Sequence, residues 1–355
     1  MIVAIDATPL TTPTGGVSRY TAELSRALAE EFPDDEFRLV SDQRFAVPEG
    51  AAPNLRAGGG PRSAVERKWW LWGLAQELSR IRADVFHGTD FAVPYLPLRP
   101  SVMTLHDLSP WRDPRWHANA DRIRRRTPLL LRAGLATMVI TPSEAVRQEA
   151  IAHFRLAPER VRAIPLAAAT HFRPIAKAVD TPYFLYVGTL EPRKNLEMLI
   201  DAWSGVRRTN RVDLVLAGRH REDFKEPAKA DGLRLTGAVS EAELPELYSN
   251  AAAVLYPSFY EGFGLPVLEA MQCGALVITS RDPALIELSA DGAVHVDAAD
   301  RSGWAEAMRS ALAGSEGEGM RECALLRSAA YSWKATAAAT RDVYEEARRR
   351  HRRER

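Results

Sequence analysis

Short apolar runs of four or five residues recur along the chain, and most stop in glycine, proline or polar residues before a stretch of helical period. That alternation is the rhythm of a parallel sheet with helices on both faces, since parallel strands need long crossovers and are buried on both sides. It runs through the chain twice. In the first half, strands are expected at Ile2–Asp6, Phe37–Val40, Asp84–His87, Val102–Leu105, Met138–Thr141 and Arg160–Ile164. Helices are expected from about Val17 to Phe32, over Leu71–Ile81, and from Glu144 to about Phe154. In the second half, strands are expected at Tyr183–Val187, Asp213–Ala217, Leu233–Leu235, Ala253–Tyr256, Leu276–Thr279 and Ala293–Val296. Helices there read over Leu196–Val206, Glu241–Ser249, Pro266–Met271, Ala284–Leu288, Trp304–Leu312, Met320–Tyr331 and Trp333–Arg350.

Residues 167–182 hold Pro174, Lys177 and Asp180 without periodicity, and the domain linker is placed there. A chain of 355 residues fits two domains better than one core. The fold class is therefore α/β, with a first open α/β domain over residues 1–170, a second over 183–332, and a terminal helix over 333–350. Ligands of such sheets bind beyond the carboxyl ends of the strands, so two facing domains would enclose a cleft.

The formal net charge is +1, too small for a nucleic-acid-binding field over the whole molecule. Positive charge is local: seven arginines between Arg112 and Arg132 face only Asp113 and Asp121, and six follow Val343 against three glutamates. The tail reads as a solvated face or frayed helix end. Cys273 and Cys323 are too few for a disulfide framework, and no Cys/His cluster has metal-site spacing. The N-terminus reads as a strand, no apolar run approaches the length of a membrane span, and a reducing, cytoplasmic compartment is expected.

The chemistry-bearing residues gather at strand ends. A turn through Pro13, Gly15 and Gly16 joins the first strand to its helix; Gly15-Gly16 is too sparse for a dinucleotide fingerprint and reads either as a tight turn or as an anion contact at a helix N-terminus. In Gly188-Thr189-Leu190-Glu191-Pro192-Arg193-Lys194-Asn195, two adjacent cations precede a helix whose dipole they oppose. A polyanion such as a pyrophosphate would explain them; the alternative is a solvated turn in which Glu191 offsets the charge. His106-Asp107 ends another strand, where the histidine can meet a hydroxyl or a phosphate, and Asp107 can orient it, bind an acceptor or cap a turn. Asp6, His87 and Asp90 hold comparable positions, and each reads equally as a loop hydrogen-bonding residue or a cleft residue.

Glu261-Gly262-Phe263-Gly264-Leu265-Pro266 carries one carboxylate in a glycine-rich turn, and Glu269 follows two helical turns later. A carboxylate accepts two hydrogen bonds from a vicinal diol, so the pair suits a polyhydroxylated ligand lying across a helix start. The bland alternative for Glu269 is an exposed helical glutamate. Arg67-Lys68-Trp69-Trp70-Leu71-Trp72 reads equally as a membrane or acceptor face and as core tryptophans beside solvated cations. Cys273 reads as a packing residue.

Taken together, Gly15-Gly16, His106-Asp107, the Pro192-Arg193-Lys194-Asn195 turn and the Glu261…Glu269 motif resemble the retaining glycosyltransferases of family 4, over essentially the full length. The resemblance implies a GT-B fold of two facing Rossmann-like domains, with donor mainly on the C-terminal domain, acceptor mainly on the N-terminal one, and the last helix packed back on the first domain. It implies that Arg193 and Lys194 hold the donor diphosphate, with Gly15-Gly16 bordering it and Gly188 among the donor-binding residues. Glu269 would bind the ribose diol. Glu261 with the amides of Gly262, Phe263, Gly264 and Leu265 would grip the hexose, and His106 would contact its hydroxyls. No cofactor or metal is implied, and no protein nucleophile is nominated. The form of the motifs is most similar to bacterial mannosyltransferases of surface polysaccharide assembly, which makes GDP-mannose the leading donor. The acceptor would be a saccharide, free or carried on a polyprenyl diphosphate, with contact to an anionic membrane left open. UDP-glucose or another sugar nucleotide with a small soluble acceptor is the competing reading; an epimerase and a non-catalytic binding protein are the weaker ones.

Overall fold

The computed structural model describes every residue except 13–14, 118–119, 176, 178, 223, 315–316 and 354–355. Pro13, expected in the turn before the first helix, lies outside the described residues. The chain divides into two compact units, Met1–Leu166 with Ser332–Arg355, and Ala167–Tyr331.

The first unit runs β1 (Ile2–Asp6), α1 (Gly16–Glu31), β2 (Glu36–Val40), β3 (Leu55–Ala57), α2 (Leu74–Arg80), β4 (Val85–Gly88), β5 (Ser101–Thr104), α3 (Ser109–Arg112), α4 (Asp121–Arg132), β6 (Met138–Thr141), α5 (Glu144–Phe154) and β7 (Val161–Ala163). The second runs β8 (Tyr183–Val187), α6 (Leu196–Arg207), β9 (Asp213–Ala217), β10 (Leu233–Gly237), α7 (Leu244–Asn250), β11 (Ala253–Tyr256), α8 (Leu265–Gln272), β12 (Val277–Ser280), α9 (Pro283–Ser289), β13 (Val294–Val296), α10 (Arg301–Ala313) and α11 (Gly317–Ser328). α12 (Trp333–Arg353) returns to the first unit.

Both sheets are parallel, ordered β3-β2-β1-β4-β5-β6-β7 and β10-β9-β8-β11-β12-β13. In each, the first strand of the unit sits inside the sheet and the order reverses beside it, between β1 and β4 and between β8 and β11. Open α/β sheets bind ligands at such a switch point. Strands β4, β5 and β6 are buried at every residue, as strands covered on both faces must be.

α12 buries Thr336, Ala337, Thr340, Val343, Tyr344 and Ala347, one helical stripe. Thr336 Oγ1 donates to Pro165 O at 2.8 Å and Arg341 Nε to Asp35 at 2.7 Å. Arg348 pairs with Asp84 at 3.4 Å. The arginine-rich tail is thus not frayed: it is helical to Arg353 and tied to the first unit.

Residues 167–182 are not a free linker. Gln272 Nε2 donates to Ala169 O at 3.1 Å and Ile175 N to Ser249 Oγ at 3.0 Å, holding the segment on the second unit. α2 starts at Leu74 because Trp69–Gly73 forms a wider π turn first. Gly73 permits it: a Cβ there would lie 2.1 Å from Glu66 O. The arginine-rich segment forms α3 and α4, the latter burying Thr127, Leu130 and Leu131. α7 is shorter than expected, beginning at Leu244.

Candidate active site

The loops after β8 and β11 open beside each other at the switch point of the second sheet and are clasped together. Phe259 N donates to Arg193 O at 3.0 Å, and Asn195 Nδ2 donates to Pro257 O at 3.3 Å and Ala298 O at 2.7 Å. Asn195 adopts a left-handed conformation, φ 56°, where the turn of Pro192–Lys194 becomes α6.

This clasp buries an ion cluster. Glu191, Arg193, Lys194 and Glu261 are each less than one-tenth exposed. Arg193 donates to Glu191 from Nη2 at 2.8 Å and Nε at 3.1 Å, to Tyr260 O at 2.7 Å and to Glu261 at 3.3 Å. Lys194 Nζ donates to the other Glu261 oxygen at 2.5 Å and lies 5.2 Å from the Tyr256 ring centroid. Arg221, from beyond β9, donates to Glu191 at 2.8 Å. Among the described residues, Arg193, Lys194 and Arg221 therefore share two carboxylates, Glu191 and Glu261. Burial rules out a solvated turn, although Glu191 does offset the charge as that alternative expects. Glu261, more than sixty residues away, helps to compensate the two cations that oppose the helix dipole.

Burial alone would raise the Glu261 carboxyl, but Lys194 and Arg193 outweigh it and hold it below the usual carboxylate range. Lys194 is lowered by burial and by Arg193, against the pull of Glu261. Asp282, which caps α9 through the Ala284 and Leu285 amides, is pushed up to about 6 by burial and by the Glu261 charge.

Beside Glu261 the backbone turns into α8. Gly264 has φ 97° and a Cβ there would lie 2.5 Å from Leu285 Cδ2, so only glycine fits. Among the described residues the amides of Phe263, Gly264 and Leu265 have no acceptor, as expected of a helix start open to a ligand. Gly188 donates from its amide to Ala217 O at 2.9 Å, closing β8 against β9. Opposite it, a Cβ on Gly218 would lie 1.9 Å from Gly188 O. Gly218 escaped the sequence reading although it ends its strand as Gly188 does.

Glu269 stands apart. It is buried rather than exposed and accepts from Tyr248 Oη at 2.9 Å, outside the Arg193–Lys194–Glu261 cluster. Cys273 is a packing residue, its thiol pushed up to about 12 by burial.

The remaining sequence candidates lie on the first unit. Gly15, at φ 123°, and Gly16 are exposed at the start of α1 with open space around them. His106 Nε2 donates to Thr89 O at 2.7 Å, and its ring stands edge-on to Tyr20 at 4.8 Å. Asp107 caps its own turn, accepting from Ser109 N at 2.9 Å and Ser109 Oγ at 2.6 Å. His87 is a core residue: Nδ1 meets Tyr344 Oη at 2.7 Å and Nε2 meets Thr104 Oγ1 at 2.8 Å. Burial lowers its pKa to about 3, with His106 adding to the effect. Trp69 is buried and Trp72 is 44% exposed, so the tryptophan stretch serves core and surface at once.

The description "Glycosyl transferases group 1" matches residues 168–351, more than half of the chain, and "Glycosyltransferase Family 4" matches residues 14–172. The chain belongs to the group 1 glycosyl transferases. This glycosyltransferase is 30% identical to the O-antigen chain mannosyltransferase B of Escherichia coli, over 95% of this chain and 97% of that protein. It is 26% identical to the D-inositol 3-phosphate glycosyltransferase of Paenarthrobacter aurescens, over 94% and 93% of the two chains. Its fold is GT-B. Sucrose-phosphate synthase from Thermosynechococcus elongatus superposes with a TM-score of 0.76 at 21% identity, over 97% of this chain and 98% of that one. Anabaena HepE in complex with UDP superposes with a TM-score of 0.71 at 17% identity, over 97% and 99%. It is a nucleotide-sugar glycosyltransferase, and no described helix is long and apolar enough to cross a membrane.

Proposed function

We propose that this glycosyltransferase moves α-mannose from GDP-mannose, with retention, to a hydroxyl of a saccharide acceptor in the assembly of a surface polysaccharide. The observation that carries the reading is the buried Glu191–Arg193–Lys194–Glu261 ion cluster at a sheet switch point, beside amides that have no acceptor among the described residues. The likeness to an O-antigen mannosyltransferase over nearly the whole chain supports the choice of sugar and product class.

In this reading Arg193 and Lys194 meet the donor diphosphate and stabilise the charge that grows on it as the anomeric C–O bond breaks. Glu261 and the amides of Gly262–Leu265 hold the hexose hydroxyls. Glu269 takes the ribose diol, exchanging its Tyr248 bond for the ligand's. His106 contacts the transferred sugar, and Gly15-Gly16 borders the diphosphate. The acceptor oxygen bonds to the anomeric carbon on the face the diphosphate leaves, and its proton passes to the departing phosphate oxygen. Turnover is expected to persist in EDTA, with Arg193 and Lys194 taking the role a divalent ion would otherwise fill.

The test is a donor screen by released nucleoside diphosphate, with the product's anomeric configuration read by NMR. GDP release with an α-mannoside product is the expected result. Turnover of UDP-glucose with a soluble polyol acceptor instead would favour the competing reading, to which the D-inositol 3-phosphate glycosyltransferase likeness points. No release from any sugar nucleotide would overturn both.

A further inference from the structure

The first unit holds a cavity of about 720 Å³ whose floor is the carboxyl edge of its sheet at the switch point. Asp6 at the end of β1, Asp42 after β2 and Asp90 after β4 line it. Cations come from two other places: Arg67 and Lys68 before the π turn, and Arg122 and Arg126, one helical turn apart on α4.

Among the described residues none of these four cations is held in an ion pair, whereas neighbouring arginines are paired: Arg124 with Asp121 at 2.5 Å, Arg112 with Glu149 at 2.6 Å, Arg80 with Glu66 at 2.5 Å. The backbone that carries Arg67 and Lys68 is fixed, because the same Glu66 carboxylate accepts from Arg62 N at 2.9 Å. Arg126 is fixed as well. Its guanidinium lies 5.8 Å from the Trp70 ring centroid and Nη2 donates to Phe91 O at 3.4 Å, while Nε is buried with no hydrogen-bond partner. Four positioned cations outside any ion pair, facing three aspartates of which burial pushes Asp6 and Asp90 toward neutrality, surround a cavity of ligand size and call for an anion.

We propose that this cavity is the phosphate-recognising part of the acceptor site: the four cations hold a phosphate or diphosphate attached to the acceptor saccharide, and the strand-end carboxylates accept hydrogen bonds from its hydroxyls. The assignment rests on the reading of the chain as a transferase with a saccharide acceptor. Burial raises Asp6 to about 6 and raises Asp90 too, which weakens repulsion between the floor and a phosphate. The phosphate can come from a soluble sugar phosphate or from a lipid carrier, and the surface beside the cations is apolar: Leu71 and Trp72 are 37% and 44% exposed.

Calorimetric titration of the full chain separates these. The probes are methyl α-mannoside, mannose 1-phosphate, mannosyl diphosphate, and mannosyl diphosphate bearing a short prenyl chain. Phosphate-bearing probes should bind about tenfold or more tightly than the neutral mannoside, as charge-assisted hydrogen bonds would give. Arg67→Ser/Arg122→Ser, two exposed side chains whose loss leaves the fold intact, should remove that preference; Arg193→Ala should keep it. Tighter binding of the prenyl probe than of mannosyl diphosphate assigns the phosphate to a lipid carrier, and equal binding assigns it to a soluble sugar phosphate. Equal affinity for neutral and phosphorylated probes, or a preference that survives in Arg67→Ser/Arg122→Ser, overturns the assignment. Failure of the transferase reading looks different: the preference persists while no sugar nucleotide is turned over.

Discussion

The two units place charge at the same point of the same kind of sheet and treat it in opposite ways. At the switch point of the second sheet, Arg193 and Lys194 are buried and answered by Glu191 and Glu261. At the switch point of the first, Arg67, Lys68 and Arg122 are exposed and unpaired, above carboxylates that burial pushes toward neutrality. A compensated cluster is rigid before its ligand arrives and costs little reorganisation when charge develops on a leaving group. An uncompensated one gains its partner only on binding. The first suits a donor whose diphosphate is always the same; the second suits recognition of whatever anion the acceptor brings.

The contrast breaks most sharply at Glu261. Glu261→Ala leaves Lys194 buried without its closest carboxylate, and stripping one partner from a buried pair costs about 3–5 kcal/mol. Urea unfolding of the second unit should shift by that order, and adding Lys194→Met should recover part of the loss. An additive double variant would mean the two are not coupled.

His87 is the next largest effect and belongs to the first unit alone. Its folded pKa, about 3, lies below the unfolded value near 6.5, so between these the unfolded chain binds more protons and stability falls as pH is lowered. The slope is up to about 1.4 kcal/mol per pH unit. Asp6, raised to about 6, contributes the opposite slope over part of that window, so the clean readout is a difference. His87→Gln should gain on the wild type as pH drops from 6.5 toward 4; a constant gap would contradict the buried neutral ring.

The smallest effect sharpens the contrast from the other side. Arg67→Ser and Arg122→Ser should each change thermal stability by no more than about 0.5 kcal/mol, as exposed unpaired side chains do. A larger loss would mean that these cations already have structural partners.

Much of this was legible in the sequence. Strand ends such as Met138–Thr141 and Tyr183–Val187 were placed to the residue, and the Arg193-Lys194 turn and Glu261 were singled out, because buried strands and glycine-rich turns leave local signals. What local reading lost was set by distance. β3 is three residues with only Leu55 buried, too short to carry a pattern. His87 reads equally as a loop hydrogen-bonding residue and as a cleft residue because Tyr344, its partner, lies 257 positions away. Arg193 and Lys194 read either as meeting a polyanion or as a solvated turn because Glu261, which holds both, is 68 and 67 positions distant. Because both cations are buried and paired, loss of either predicts lower stability as well as lower turnover.

The most direct test of the donor grip is therefore to measure kcat/KM of Arg193→Ala with GDP-mannose alongside its unfolding temperature. A fall of about 10²–10³-fold, typical of removing one donor aimed at developing negative charge, is predicted at a temperature where the variant is still folded. Full turnover by a folded Arg193→Ala protein would contradict the account.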